Sequence, residues 1–334
     1  MSMQHEQTTP DYKDIIIEAL DIMRKKEVAE KGPTSQFKVR AYQKVIKQLK
    51  DYNGSITSYA DVKEIDGIGE KIALKIKEIL ETGQLKAAER TKKEMNIDAY
   101  DSLMKVYGIG PVKAKQLIEE GITSIGELRK VAREHLNDNQ KIGLKYYEDL
   151  LERIPRAEMY IHEQTLNEAL PNSLKGEIVG SFRRLAKSSG DIDMILKYGE
   201  KITSKMAITA FHKYVKNLTE YGYITEVLAL GDKKCMAICQ LTGGKARRLD
   251  LLLTSEKEYP YAILYFTGSD KFNVAFRQHA LDIGYSLNEH SMTPITSKAI
   301  TPICIKNEED IFDFLGLQYV EPNMRTGPEA LVDN

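Results

Sequence analysis

Two short stretches of this chain alternate with a period of two, and both set aspartate against aliphatic residues. In the first, Ile192, Met194 and Leu196 would face a core if the segment is a strand, with Asp191 and Asp193 on the opposite face. In the second, Leu249, Leu251 and Leu253 share one face, and Arg248, Asp250 and Leu252 share the other. The N-terminal part has helical spacing instead. Residues 12–30 are amphipathic, and Gly32-Pro33-Thr34-Ser35 ends that helix. In the helix that follows, Ala41, Val45 and Leu49, flanked by Tyr42 and Ile46, form an apolar stripe. Arg40, Lys44 and Lys47 form a basic one, within a stretch (38–50) that holds five cations and no acid.

One apolar frame occurs twice. Val62 to Ile76 contains Ile65-Asp66-Gly67-Ile68-Gly69, and Leu103 to Lys115 contains Val106-Tyr107-Gly108-Ile109-Gly110, 41 residues later. This is a helix-hairpin-helix pattern. Gly67, Gly69, Gly108 and Gly110 permit a tight turn that aims backbone amides at a DNA phosphate, with a helix N-terminus behind them. Such contacts hold a duplex without reading its sequence. The plainer alternative is that each hairpin only reverses the chain. In the helix after the first hairpin, Lys71 and Lys75 are neighbours at i and i+4. A neighbouring cation disfavours an ammonium and favours the neutral, nucleophilic amine.

The same-face pair Asp191 and Asp193 calls for chemistry, because adjacent carboxylates repel unless a divalent cation sits between them. Earlier in the chain stand Gly180 and Ser181, whose amides and hydroxyl suit a phosphate, and the nine residues between Ser181 and Asp191 include Arg183, Arg184 and Lys187. A metal beside a phosphate means phosphoryl or nucleotidyl transfer, and two metals need a third carboxylate. Asp250 is the candidate. The bland alternative makes it an edge-strand acid paired to Arg247 or Arg248.

Composition narrows the setting. The net charge of −1 confines any nucleic-acid surface to local basic patches. Cys235, Cys239 and Cys304 show no pairing pattern, which fits a reducing compartment, and the first two read as core residues. No apolar run approaches a membrane span, so no membrane partner is expected. The polar start (1–10) and the residues after Arg325 read as disordered tails.

The Gly180–Asp193 block, the Arg-Arg-x-Asp strand and Tyr265-Phe266-Thr267-Gly268-Ser269-Asp270-Lys271-Phe272-Asn273 together resemble the beta-type members of DNA polymerase family X. The resemblance runs in order from about Tyr12 to Arg325. It implies an α+β multidomain fold: a helical N-terminal lyase domain with helix-hairpin-helix motifs, then a polymerase domain with a nucleotidyltransferase-type mixed β-sheet palm. The implied divisions are 11–90 for the lyase domain, 91–150 for a DNA-binding subdomain, 151–262 for the palm and 263–334 for a nucleotide-selecting subdomain and tail.

The resemblance also implies roles. Asp191 and Asp193 would serve two Mg²⁺ ions (Mn²⁺ as a substitute), and Asp250 the catalytic ion and the primer hydroxyl. Arg153, Ser181, Arg184, Ser189 and Gly190 match residues that hold the incoming dNTP, and Arg248 one beside the primer end. Tyr265 and Phe266, read as lying in a strand-like run, would exclude a ribose hydroxyl, and Gly268 would form a tight turn. Asp270 would pack on the base, with Asn273 and Arg277 at the minor groove. Lys75 would form a Schiff base for 5′-deoxyribose phosphate removal, with Lys38 and Lys71 binding phosphate. Carbonyls of Lys63, Ile65 and Ile68, and of Met104, Val106 and Ile109, would hold Na⁺ or K⁺. The implied partner is gapped or nicked double-stranded DNA, bound by a monomer in the nucleus, with a repair ligase or scaffold alongside. A viral or cytoplasmic setting is the alternative. Four positions depart from the pattern: Ala87, Leu252, Val274 and His290, where it carries a basic residue, an arginine, a lysine and a tyrosine. Two rival readings are a non-catalytic DNA-end scaffold and a different nucleotidyltransferase.

Overall fold

The structure, a computed structural model, describes residues 10–295 and 305–334. The expected N-terminal tail (up to Thr9) and Cys304 lie outside the described residues. The chain divides into two compact units, Met1–Tyr147 and Glu148–Asn334.

The first unit is helical. α1 (Lys13–Glu30) packs on α2 (Ser35–Asp51), and α3 (Glu70–Thr82) and α4 (Lys86–Glu94) complete a core around Leu20, Val45, Leu49, Ile76 and Ile79. The chain leaves α1 through Lys31 in the left-handed region, ahead of Gly32 and Pro33. α5 (Ile97–Met104), α6 (Pro111–Glu119), α7 (Ile125–His135) and α8 (Asp138–Lys145) surround a second core that includes Leu103, Leu117, Leu128 and Leu144. A one-turn helix α9 (Tyr147–Leu151) lies at the unit boundary.

The second unit is built on a five-stranded mixed sheet. Its strands are β2 (Lys175–Ile178), β4 (Ile192–Tyr198), β5 (Ile224–Leu230), β6 (Lys234–Gln240) and β7 (Ala246–Ser255), in the order β2-β4-β7-β6-β5. Only β4 and β7 run parallel, and they pair Asp193 with Asp250. β7 is therefore interior, not an edge strand, since it pairs with β4 on one side and β6 on the other, and a helix layer covers its alternating leucines. That layer is α10 (Arg156–Glu168) and α12 (Ser204–Glu220), whose Met159, Leu166, Phe211 and Tyr214 meet Met194, Leu196, Leu249, Leu251 and Leu253. Two residues of β1 (Ile154–Pro155) pair with β3 (Ser188–Ser189).

On the other face, α13 (Tyr259–Thr267) sets Ala262, Ile263 and Phe266 against Val179, Ile195 and Leu252. Tyr265 and Phe266 thus occupy the last turn of a helix, where a strand-like run was expected. The segment from Tyr259 to Thr267 is apolar almost throughout, so periodicity alone does not distinguish the two. After it come α14 (Asp270–Asp282), the hairpin β8 (Tyr285–Leu287) and β9 (Met292–Pro294), and α15 (Glu308–Phe314), around Phe272, Phe276 and Phe312.

The residues after Arg325 are ordered, contrary to expectation. Ala330 and Leu331 pack on that aromatic cluster, Gln318 N–H donates to the Val332 carbonyl (2.9 Å), and Leu317 bridges Asp333. The apolar pair anchors an otherwise polar end.

One buried acid joins these pieces. Glu308 accepts from both Arg183 (2.6 and 3.1 Å) and Arg325 (2.6 Å), and Arg325 lies among the rings of Phe272, Phe312 and Tyr319. Arg183 also reaches Glu177 (3.0 Å) and Thr267 Oγ1 (2.8 Å). Among the described residues no helix is long and apolar enough to cross a membrane. Removing one partner of a buried ion network leaves its remaining charges uncompensated. Glu308→Ala should destabilise the second unit by about 3–5 kcal/mol, against a smaller loss for Glu308→Gln, in denaturant unfolding followed by circular dichroism.

Candidate active site

The site begins with a glycine that has no room for a side chain. Gly180 opens the short helix α11 (Gly180–Arg183) at φ +59°, and a Cβ there would lie 2.8 Å from Asp193 Oδ2. The backbone can therefore approach the carboxylate, and Val179 N–H donates to the Asp193 carbonyl (2.9 Å). Ser181 Oγ donates to Ser189 Oγ (3.0 Å), which ties the turn to β3. Arg153 binds Ser188 through Oγ (2.7 Å) and the carbonyl (2.6 Å), beside Gly190. Arg184 donates to the Thr267 carbonyl, and its guanidinium lies close to Gly268, which has φ +68°.

These elements wall a cleft of about 560 Å³. It is lined by Gly180, Ser181, Arg184, Asp191, Asp193, Tyr265, Phe266, Gly268, Asp270, Asn273, Val274 and Arg277. Asn273 Nδ2 donates to the Tyr265 carbonyl (2.6 Å), and the Tyr265 and Phe266 rings meet edge to face. Ser189, Gly190, Arg153, Arg248 and Asp250 stand outside this lining, though Asp250 is register-paired with Asp193.

Electrostatics dominate the floor of the cleft. Burial, then the charges of Asp191 and Asp250, push the Asp193 carboxyl up to about 7. Arg248 Nη2 lies 3.1 Å from Asp250 Oδ2 and 3.5 Å from Asp191 Oδ2, while Arg247, on the opposite face, pairs with Glu158 (2.6 and 2.9 Å). The arginine pairing of the bland reading and the carboxylate cluster are thus both present. Among the described residues, no three His, Cys, Asp or Glu side chains are drawn together as a metal shell. Arg248 neutralises two of the three acids where they stand. The donor set nevertheless fits a hard divalent cation: Asp193 and Asp250 stand on paired strands, Asp191, expected on the strand as well, sits in the bend just before β4, and the largely buried Asp193 is costly to ionise alone. His290, where the family pattern carries a tyrosine, lies 3.6 Å from Glu258 and 3.9 Å from Glu289.

In the first unit, the two hairpins repeat atom for atom where it matters. Gly67 and Gly108 have φ +92° and +84°, and Gly69 and Gly110 cap α3 and α6. Ile65 and Val106 each donate three residues back (both 3.0 Å), as do Ile68 (3.3 Å) and Ile109 (3.0 Å). Lys44, of the basic stripe, packs over Gly67 and pairs with Asp66 (2.6 Å). Gln140 takes the equivalent place at the second hairpin and donates to the Gly108 carbonyl (2.9 Å). Lys38 pairs with the nearly buried Glu27 (2.8 Å), and Lys75 Nζ donates to the Lys71 carbonyl (3.2 Å).

Family profiles match in the same order as these pieces. A helix-hairpin-helix domain matches residues 12–85, the fingers domain of DNA polymerase lambda 101–151, the DNA polymerase beta palm 153–256 and the DNA polymerase beta thumb 262–326. The chain belongs to DNA polymerase family X. Its similarity to individual members is modest. It is 29% identical to DNA polymerase lambda of Rattus norvegicus over 96% of this chain, and 28% identical to that of Arabidopsis thaliana over 85%. It is 27% identical to the DNA nucleotidylexotransferase of Xenopus laevis over 94%. The chain spans 57% of the length of each of the two lambda polymerases and 68% of the nucleotidylexotransferase.

Sequence reasoning missed several residues around this family X site. Glu308 and Arg325 are far apart in the chain from Arg183, and Lys234 joins the carboxylates only through strand pairing. No local motif marks any of them.

The raised Asp193 carboxyl has a measurable consequence. Its folded pKa lies above the unfolded value, so its contribution to stability is full below about pH 4 and is lost as pH rises toward 7. In EDTA, Asp193→Asn should match wild type near pH 4 and exceed it by on the order of 2 kcal/mol at pH 8. Thermal unfolding across that range checks this; a pH-independent difference would mean the acid is not held in the costly state described.

Proposed function

We propose that this family X chain is a DNA-directed DNA polymerase that fills short gaps in base-excision-type repair, transferring dNMP from dNTP to a primer 3′-hydroxyl. The observation that carries the reading is the Asp193–Asp250 register beside a cleft that holds Asp191, Ser181 and Arg184. Ser181, Ser189, Gly190, Arg184 and Arg153 are suited to bind the triphosphate, the serines and glycine by short polar contacts and the arginines by charge. Two Mg²⁺ ions, or Mn²⁺, held by Asp191, Asp193 and Asp250, would align the hydroxyl with the α-phosphorus and neutralise charge on the departing pyrophosphate. Asp250 accepts the primer hydroxyl proton once Arg248 turns from it to the primer end. Tyr265 and Phe266 at the end of α13 narrow the cleft where a ribose 2′-oxygen would enter. Asp270, Asn273 and Arg277, on successive turns of α14, face the nascent base pair.

Two further features bear on the substrate. Only Leu241–Lys245 connects β6 to β7, too short a segment to stand in for a template strand, which favours templated synthesis. The paired hairpins suit gapped or nicked duplex DNA, with Na⁺ or K⁺ on the carbonyls of Lys63, Ile65 and Ile68 and of Met104, Val106 and Ile109. We further propose that Lys75 is the amine of a 5′-deoxyribose phosphate lyase, with Lys71 and Lys38 as phosphate ligands. The protein would work as a monomer in the nucleus, beside a repair ligase or scaffold.

Gapped duplex DNA with Mg²⁺ and single dNTPs or rNTPs tests the polymerase. Wild type should insert the templated dNTP, and Asp191→Ala, Asp193→Ala and Asp250→Ala should each lose insertion by 10³-fold or more (~4 kcal/mol) with gapped-DNA binding retained. Near-normal insertion by Asp250→Ala would mean another group is the third ligand, and no insertion by wild type would favour a scaffold.

Borohydride trapping on DNA bearing a 5′-deoxyribose phosphate tests the lyase. Lys75→Ala should lose most of the adduct yet keep gap filling, since the two sites belong to different units. Equal trapping by the variant assigns the amine elsewhere.

A further inference from the structure

The face of the sheet that carries the carboxylates also carries a lysine to which no role has been given. β6 and β7 pair Lys234 with Leu252 and Met236 with Asp250, so Lys234 is the diagonal neighbour of Asp250 on that face. Diagonal cross-strand positions lie about 7–8 Å apart, within reach of a long side chain. Lys234, Asp193, Asp250 and Leu252 line one small cavity closed by Phe266. The adjacent lysine turns the other way: Lys233 pairs with Glu258 (3.4 Å). The strand therefore commits one of two consecutive cations to the carboxylate floor.

We propose that Lys234 is a positioning residue that serves as the built-in counter-charge to Asp193 and Asp250 and thereby sets the divalent-cation concentration at which they load. The inference rests on the carboxylates being the metal site. Arg248 neutralises Asp191 and Asp250 from one end of the face. At the other end of the face β7 carries the aliphatic Leu252. Lys234 supplies the charge from the neighbouring strand. An ammonium beside the carboxylates repels an arriving divalent ion, so Lys234 raises the loading threshold.

Mn²⁺ binding to the nucleotide-free protein, read from the electron paramagnetic resonance signal of free Mn²⁺, tests this without turnover. Lys234→Met keeps length and removes charge, and should bind Mn²⁺ about tenfold more tightly than wild type. Lys234→Arg should stay within about twofold of wild type. Lys234→Gln, as a second neutral variant, should follow Lys234→Met. Unchanged or weaker binding by both neutral variants, with Asp250→Asn lowering binding to wild-type protein as a control, overturns the inference and leaves the polymerase reading intact. Absence of Mn²⁺ binding in wild type and neutral variants alike overturns the metal assignment itself, and the role of Lys234 with it.

Discussion

The second unit is organised around a charge problem: two carboxylates side by side on paired parallel strands, one of them largely buried, with a third in the bend just before β4. β4 and β7 are the only parallel pair among the described residues, and their register leaves Asp193 directly beside Asp250. Nothing in the packing of the sheet requires this. The opposite face of the same strands is filled with leucine, isoleucine and methionine that would pack equally well beside apolar partners. An arrangement that pushes Asp193 to about 7 is a cost to the fold, and such costs concentrate where chemistry needs them.

The neighbouring elements are arranged as responses to that charge. Gly180 gives up its side chain so that the turn into α11 can lie against Asp193. Arg248 spans two acids, while Arg247, one residue earlier, is drawn through the sheet to Glu158. Further out, Arg183 and Arg184 both grip Thr267, one through the hydroxyl and one through the carbonyl. Through Arg183 the grip extends to Glu308 and so to Arg325, whose carbonyl accepts from Ser269 N–H (3.3 Å). The turn that would hold phosphate and the helix that would face the base are thus parts of one hydrogen-bonded chain, so a shift in either is felt by the other.

Much of this was legible in the sequence because it is local. Asp193 lies on the strand that its alternation with Ile192 and Met194 predicts, though Asp191 falls just before it, and Gly67 and Gly108 repeat the glycine that a positive φ requires. What could not be read was non-local or locally ambiguous. An unbroken apolar run such as 259–267 fits a helix or a buried strand equally, and only its packing on Ile195 and Leu252 decides. The tail after Arg325 looks polar enough to be free, yet Ala330 and Leu331 fasten it. Lys38 and Lys44 lie on the basic helix as expected, but Glu27 and Asp66, from other segments, take their charges.

The position of Leu252 shows why strand pairing must be known before a missing charge is interpreted. Read along β7 alone, a leucine two residues after Asp250 leaves that end of the acidic face without a cation. Across the sheet, the residue opposite Leu252 is Lys234, on the same face and one diagonal from Asp250. A charge can be moved from one strand to its neighbour with little change in the field at the carboxylates, because cross-strand pairs are about as close as residues two apart in one strand. The two placements differ in mobility. An arginine on β7 could bind the carboxylates through a planar fork and release them only by rotating away, whereas a lysine on β6 acts at a distance as a point charge. A counter-charge on β6 is carried by the same sheet as Asp193 and Asp250, so its field at the carboxylates does not depend on the helices packed above them.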